Sequence, residues 1–173
     1  IEKAQIFLKN KDFDNAEIVL LRNLKISNKN FETFFLLGAI SGIKKKLDEA
    51  EAYFKKSISL NSSHINSILN LAIILKKNYK KQDSIFYFEK VISLDDRNIE
   101  SLCGLAQIYE EQKNYKKAEC YFKKALDIDP NHHIANHSYG KLLLKLNQHS
   151  YGLKLIEKVS GIIRFKKNSL EII

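Results

Sequence analysis

One proline, Pro130, and six glycines serve all 173 residues. Tight connections built on those two residue types are therefore scarce, which argues against an all-β fold. Cysteine is nearly absent too. Cys103 and Cys120 form no C-x-x-C pair and are too few for a disulfide scaffold, so they point to a reducing, cytoplasmic compartment. Of the 29 basic residues only Arg22, Arg97 and Arg164 are arginine. The planar guanidinium fork that reads base edges is thus rare, and no specific nucleic-acid partner is expected. Long apolar runs are missing as well. "FFLLGAI" from Phe34 and "LNLAIIL" from Leu69 fall short of the roughly 18 residues of a membrane span and read as buried helix. No phosphate-cradling loop, dinucleotide fingerprint, H-E-x-x-H or G-x-S-x-G occurs, so neither catalysis nor a cofactor is expected. The chain opens at Ile1 without a signal peptide, which reads as a piece excised from a longer protein.

What is present suits helices. Hydrophobic residues make up 45% and charged residues 28%, enough for a core and against disorder. Lys, Leu, Ile, Ala, Glu and Asn dominate, which fits helices joined by short polar links. The net charge of +9 comes mostly from lysine and accompanies a bias toward Asn and Ile. It leaves open a salt-sensitive basic surface for RNA or anionic lipid.

Three segments read almost alike: "YFKKSISL" from Tyr53, "YFEKVISL" from Tyr87 and "YFKKALDI" from Tyr121, each 34 residues after the last. The same offset aligns two rows of small residues, Ala4, Gly38, Ala72, Ala106, Gly140 and Ala16, Ala50, Ser84, Ala118, Gly152. It also aligns the large apolar row Leu20, Phe54, Phe88, Phe122, Ile156. Within a repeat the apolar spacing is helical, as in Ile68, Leu71, Ala72, Leu75 and Ala118, Phe122, Ala125. Each repeat is therefore two amphipathic helices joined by links such as "KKKLD" (44–48) and "KNYKK" (113–117), short enough to make neighbours antiparallel. The small rows let backbones approach. A single hairpin cannot cover its apolar face, so the hairpins must stack.

The pattern large–x–x–Leu–Gly/Ala–x–x–Tyr, then Ala–x–x–x–Phe–x–x–Ala, then Pro, resembles the tetratricopeptide repeat. Residues 99–132 carry it best, with Leu102, Leu105, Ala106, Tyr109, Ala118, Phe122, Ala125 and Pro130 in register. The resemblance implies an all-α, right-handed α-solenoid of antiparallel helix pairs. Its parts are an incomplete repeat (1–30), repeats at 31–64, 65–98, 99–132 and 133–166, and the start of a further helix or cap at 167–173. The closing Pro is replaced by Asn28, Ser62, Asp96 and Arg164, so those turns rely on polar side chains. Ser41 and Asn136 stand where bulky residues are expected, and Lys3 at a Leu position. Leu170 and Ile173 are placed to open a sixth first helix, while "SGIIRF" (160–165) also reads as a strand leading elsewhere.

Such a family binds its partners on the concave wall lined by first helices. By repeat position that wall comprises Glu32, Phe35, Leu36 and Ala39, then Asn66, Leu69, Asn70 and Ile73. It continues with Glu100, Cys103, Gly104 and Gln107, then Ile134, His137, Ser138 and Lys141. Phe35, Leu69 and Ile73 have no core role in the repeat and would form an exposed apolar patch, and Asn70 could hold a partner's backbone. Phe35, Ala39, Glu100 and Gly104 occupy the positions of the family's Lys/Asn carboxylate clamp, which excludes that mode. His133 and His137 are spaced like metal ligands but lack a third, so they read as half-exposed histidines at a helix start. Lys55–Lys56 and Lys123–Lys124 form an outer ridge, Cys103 faces the groove, and Cys120 faces outward. The expectation is a non-catalytic module that binds a protein or peptide, able to self-associate through its ends. The alternatives are an arm of a multidomain enzyme, such as a bacterial oxygenase or glycosyltransferase, and a basic nucleic-acid or membrane-surface binder.

Overall fold

The computed structural model describes residues 1–26 and 29–160, with the backbone of 163–166 and 169–172. The described part is all-α but for a short terminal strand pair. The helices are α1 (Glu2–Lys9), α2 (Phe13–Ile26), α3 (Phe31–Ile43), α4 (Leu47–Leu60) and α5 (Ile65–Lys77). They continue as α6 (Lys81–Leu94), α7 (Ile99–Glu111), α8 (Tyr115–Ile128), α9 (His133–Lys145) and α10 (His149–Ser160). The repeat period is kept to the residue: second helices open at Phe13, Leu47, Lys81, Tyr115 and His149. Strands β1 (Ile163–Lys166) and β2 (Ser169–Ile172) pair antiparallel, Ile163 opposite Ile172.

The chain forms two compact units, Ile1–Leu94 and Asp95–Ile173. In the first, α1 to α6 pack in chain order as three stacked hairpins, and α3 also touches α5. In the second, α7 to α10 do the same, α7 touches α9, and β1 reaches α10. This is the helix-pair architecture that the 34-residue offset demands.

Each hairpin turns without glycine. Lys11, Lys45, Tyr79, Lys113 and Asn147, all at one repeat position, hold φ between 57° and 62°. The left-handed residue lets the next amide reach back five residues. Lys46 N–H donates to Ser41 O at 2.9 Å, and Lys80 to Leu75, Asn114 to Tyr109 and Gln148 to Leu143 repeat the bond. This closes the orphan carbonyls of each first helix within three residues. The links are accordingly shorter than the sequence suggests. They run over 44–46 and 112–114, because Leu47 and Tyr115 already open the next helices.

Between hairpins, a polar side chain one residue before the proline position shapes the turn, both where proline is missing and beside Pro130. The side-chain oxygens of Asn61, Asp95 and Asp129, rather than those of Ser62 and Asp96, accept the amides of Ser63, Arg97 and Asn131 at 3.2, 3.2 and 2.9 Å. Asn30, Asn98 and His132 then cap the following helices, accepting from Thr33, Ser101 and Ala135. Asn28 lies outside the described residues, and Arg164 falls in β1.

The small rows sit where backbones meet. A Cβ at Gly38 would stand 2.8 Å from the Phe54 ring, and one at Gly140 would stand 2.6 Å from Ile156 and 2.8 Å from Gly152 O. Ser84 fits its row by donating to Ala72 O at 2.7 Å. Leu20, Phe54, Phe88, Phe122 and Ile156 are all buried. Asn136 is tolerated in the core because its amide donates to Pro130 O and His132 O, both at 3.0 Å.

At the tail the structure departs from a sixth first helix. Ser169–Ile172 is strand, paired with β1. The run "IIRF" and the closing "LEII" are rich in β-branched and aromatic residues, which favour a pleated backbone over a helix start. Ile173 lies outside the described residues.

Candidate functional site

The predicted wall residues fall in both units, and each unit holds its own set. In the first unit, α3 and α5 carry Phe35, Ala39, Asn66, Leu69, Asn70 and Ile73. Between these helices lies a cavity of about 310 Å³, lined by Gly38, Ala39, Gly42, Ile43, Phe54, Asn70, Ile73, Ile74 and Lys77. Ala39, Asn70 and Ile73 were expected there. Ile43, Gly42 and Lys77 were not, because they lie a turn beyond the family's wall positions. Ile43 is the feature the sequence could have flagged: an aliphatic residue next to a lysine-rich turn, here 55% exposed.

Phe35 does not form an open patch. It is half-buried against the cluster of Ala50, Phe54, Leu71, Ile74 and Leu75, its ring 6.1 Å from that of Phe54. Leu69 and Ile73 are half-buried too. The reason is that adjacent first helices touch, so this row closes into the seam between them. Glu32, Asn66, Glu100 and Ile134 form the row that stays exposed. Asn70 spends one amide hydrogen on its own helix, donating to Asn66 O at 2.8 Å, and keeps its carbonyl oxygen for other use.

Beside Phe35 sits a buried polar chain. His64 lies with its ring 4.9 Å from Phe31 and 5.1 Å, edge-on, from Phe35. Its Nδ1 is 2.6 Å from Ser67 Oγ, which is 2.8 Å from Ser57 Oγ, which is 2.9 Å from Phe31 O. A carbonyl only accepts, so Ser57 donates to Phe31. Ser67 must then donate to Ser57, and the proton of His64 must sit on Nδ1. This is the one assignment that satisfies all three bonds. Burial pushes the imidazole below its usual pKa, against a weaker upward pull from Glu32.

In the second unit, Cys103 is buried rather than facing the groove, as a small apolar thiol packs well in a seam. Cys120 is exposed on α8, as expected. Gln107 approaches Ser138 across α7 and α9 at 3.5 Å, and Lys141 is exposed. His137 stacks with His133 at 6.4 Å, and burial, with help from Lys141 and His133, holds its pKa down. Among the described residues, no group of three His, Cys, Asp or Glu side chains could hold a metal ion.

The lysine ridge is partly neutralised. Lys55 pairs with Glu51 at 2.8 Å and Lys123 with Glu119 at 2.8 Å. Glu17, Glu51 and Glu119 share one repeat position, and two of them bind the next hairpin: Glu17 takes Lys44 at 2.7 Å and Glu51 takes Lys80 at 2.9 Å. Burial alone would raise the Glu51 carboxyl, but its bonds to Lys55 and Lys80 outweigh that and hold it low.

Stacked helix hairpins at a 34-residue period define a helical repeat array. Residues 31–64 match the profile of the tetratricopeptide repeat, and residues 77–159 match that of the anaphase-promoting complex, cyclosome, subunit 3. The chain carries repeats of the tetratricopeptide type, a family of protein-interaction modules that are typically non-catalytic. Among solved structures it is similar to MamA (41-end) from Desulfovibrio magneticus RS-1, at 17% identity and a TM-score of 0.81, covering 91% of this chain and 89% of that one. Pseudomonas aeruginosa pilF superposes with a TM-score of 0.81 at 15% identity, covering 93% and 75%. YrrB, described as a TPR protein with an unusual peptide-binding site, gives 0.74 at 16%, covering 92% and 82%. These identities speak to the fold alone. No curated protein matches the sequence. Among the described residues, no helix is long and apolar enough to cross a membrane.

Proposed function

We propose that the chain is a protein-interaction module that docks a peptide or helix of a partner between α3 and α5. The cavity of about 310 Å³ carries this reading. It is large enough for a bulky side chain, mostly apolar, and rimmed by an amide and an ammonium that can orient a backbone or charge. A partner segment would seat an apolar side chain against Ile43, Phe54 and Ile73 while Asn70 Oδ1 accepts from its backbone.

Selection from a random peptide display library tests it. The wild-type chain should enrich a recurring apolar motif, and Ile73→Asp should lose it while keeping helical circular dichroism. Equal enrichment of the same motif by Ile73→Asp would remove this groove as the site.

A further inference from the structure

The cavity exists because one side chain is missing. At the repeat position of Gly42 the other hairpins carry Leu8, Lys76, Glu110 and Leu144, each with a longer side chain. At Gly42 a Cβ would already lie 3.3 Å from Ile74 Cδ1, so a longer side chain would occupy the space.

Its mouth has a sign. Of the lining residues, Lys77 alone carries a charge, and no carboxylate lines the cavity. Lys44 is engaged by Asp14 and Glu17, Lys46 by Glu49 and Lys80 by Glu51. Lys77 is exposed on the last turn of α5. The carbonyls that could have answered it at the ends of these helices are taken by turn amides. Ile40, Ser41 and Gly42 accept from Lys44, Lys46 and Lys45, and Ile74, Leu75 and Lys76 accept from Asn78, Lys80 and Tyr79. The polar side chains that line the cavity are Lys77 and Asn70.

From this geometry we infer that the occupant is an acidic peptide segment, one bulky apolar side chain filling the space left by Gly42 and a neighbouring carboxylate pairing with Lys77. This rests on the docking proposal above and adds the partner's chemistry. A basic segment would bring like charge to Lys77, and a neutral one would leave it unanswered.

Three fluorescein-labelled twelve-residue peptides test it by anisotropy on the intact chain. One carries a single Phe among Asp and Glu, the second has Ala for Phe, and the third has Asn and Gln for the acids. The first should bind. The Ala peptide should bind at least about tenfold more weakly, as expected for an aromatic side chain withdrawn from an apolar site. The amide peptide should bind about two- to fivefold more weakly, the scale of a half-exposed ion pair, and this gap should close in high salt. Lys77→Glu should reverse the preference between the first and third peptides. Gly42→Leu should block the first, and Ile43→Glu, at an exposed position, should weaken it even if Gly42→Leu folds poorly. Equal binding of the acidic and amide peptides, with both lost in Ile43→Glu, overturns the acidic partner and leaves the groove standing. Binding of the acidic peptide unchanged by Ile43→Glu overturns both.

Discussion

At the scale of single residues, the turn positions carry a cost that the sequence does not advertise. A lysine at φ 60° pays for its Cβ what a glycine does not. Lys45→Gly should therefore stabilise the chain by about 0.5–1 kcal/mol, after allowing for the greater freedom of glycine when unfolded. Asn147→Gly should gain less, since asparagine tolerates this conformation. Urea unfolding at neutral pH measures both, and a loss of stability in Lys45→Gly would contradict the account. His64 supplies a different residue-scale outcome. Its folded pKa lies below the unfolded value, so the unfolded chain takes up the proton first. The stability it supports is complete above about pH 6.5 and falls as the pH drops below that value. Unfolding midpoints measured from pH 7.5 to 5 should decline in the wild type and run flatter in His64→Gln. Parallel curves would assign the decline elsewhere.

At the scale of elements, much was legible because the repeat fixes many positions at once. Ten helices follow from apolar spacing and from rows such as Ala16, Ala50, Ser84, Ala118 and Gly152, whose members are buried together. Link lengths were overestimated because Leu47 and Tyr115 look like link residues until the bond that reaches back five residues in the preceding turn is known. The tail left a further helix, a cap and a strand all open, because Leu170 keeps the offset while its neighbours favour the strand found at Ser169–Ile172. The wall was legible only in part. Of the wall positions read from the repeat, Ala39, Asn70 and Ile73 line the cavity, whereas Phe35 is half-buried and Cys103 buried, since contact between adjacent first helices depends on neighbours that sequence spacing does not weigh. Gly42 drew no notice because a missing side chain leaves no pattern.

At the scale of the molecule, stability should be distributed as in other stacked arrays, where each hairpin leans on the next. The first unit contains three hairpins, the first with a shortened α1, and buried clusters centred on Leu20 with Leu37 and on Phe54 with Leu71. That is the minimum number of repeats such a stack needs. Residues 1–94 alone should fold cooperatively, whereas 95–173, with two hairpins and a strand pair, should unfold at lower urea. Circular dichroism of the two fragments decides this, and a non-cooperative 1–94 would refute it.

The vacancy at Gly42 also bears on how such a chain can change. Hairpins of equal length can be duplicated or lost without disturbing their neighbours' register, so a stack has no intrinsic landmark. A rung that lacks one side chain supplies that landmark, because its recess travels with the hairpin that encodes it. Lengthening the stack on either side would leave the recess, and whatever fits it, unchanged.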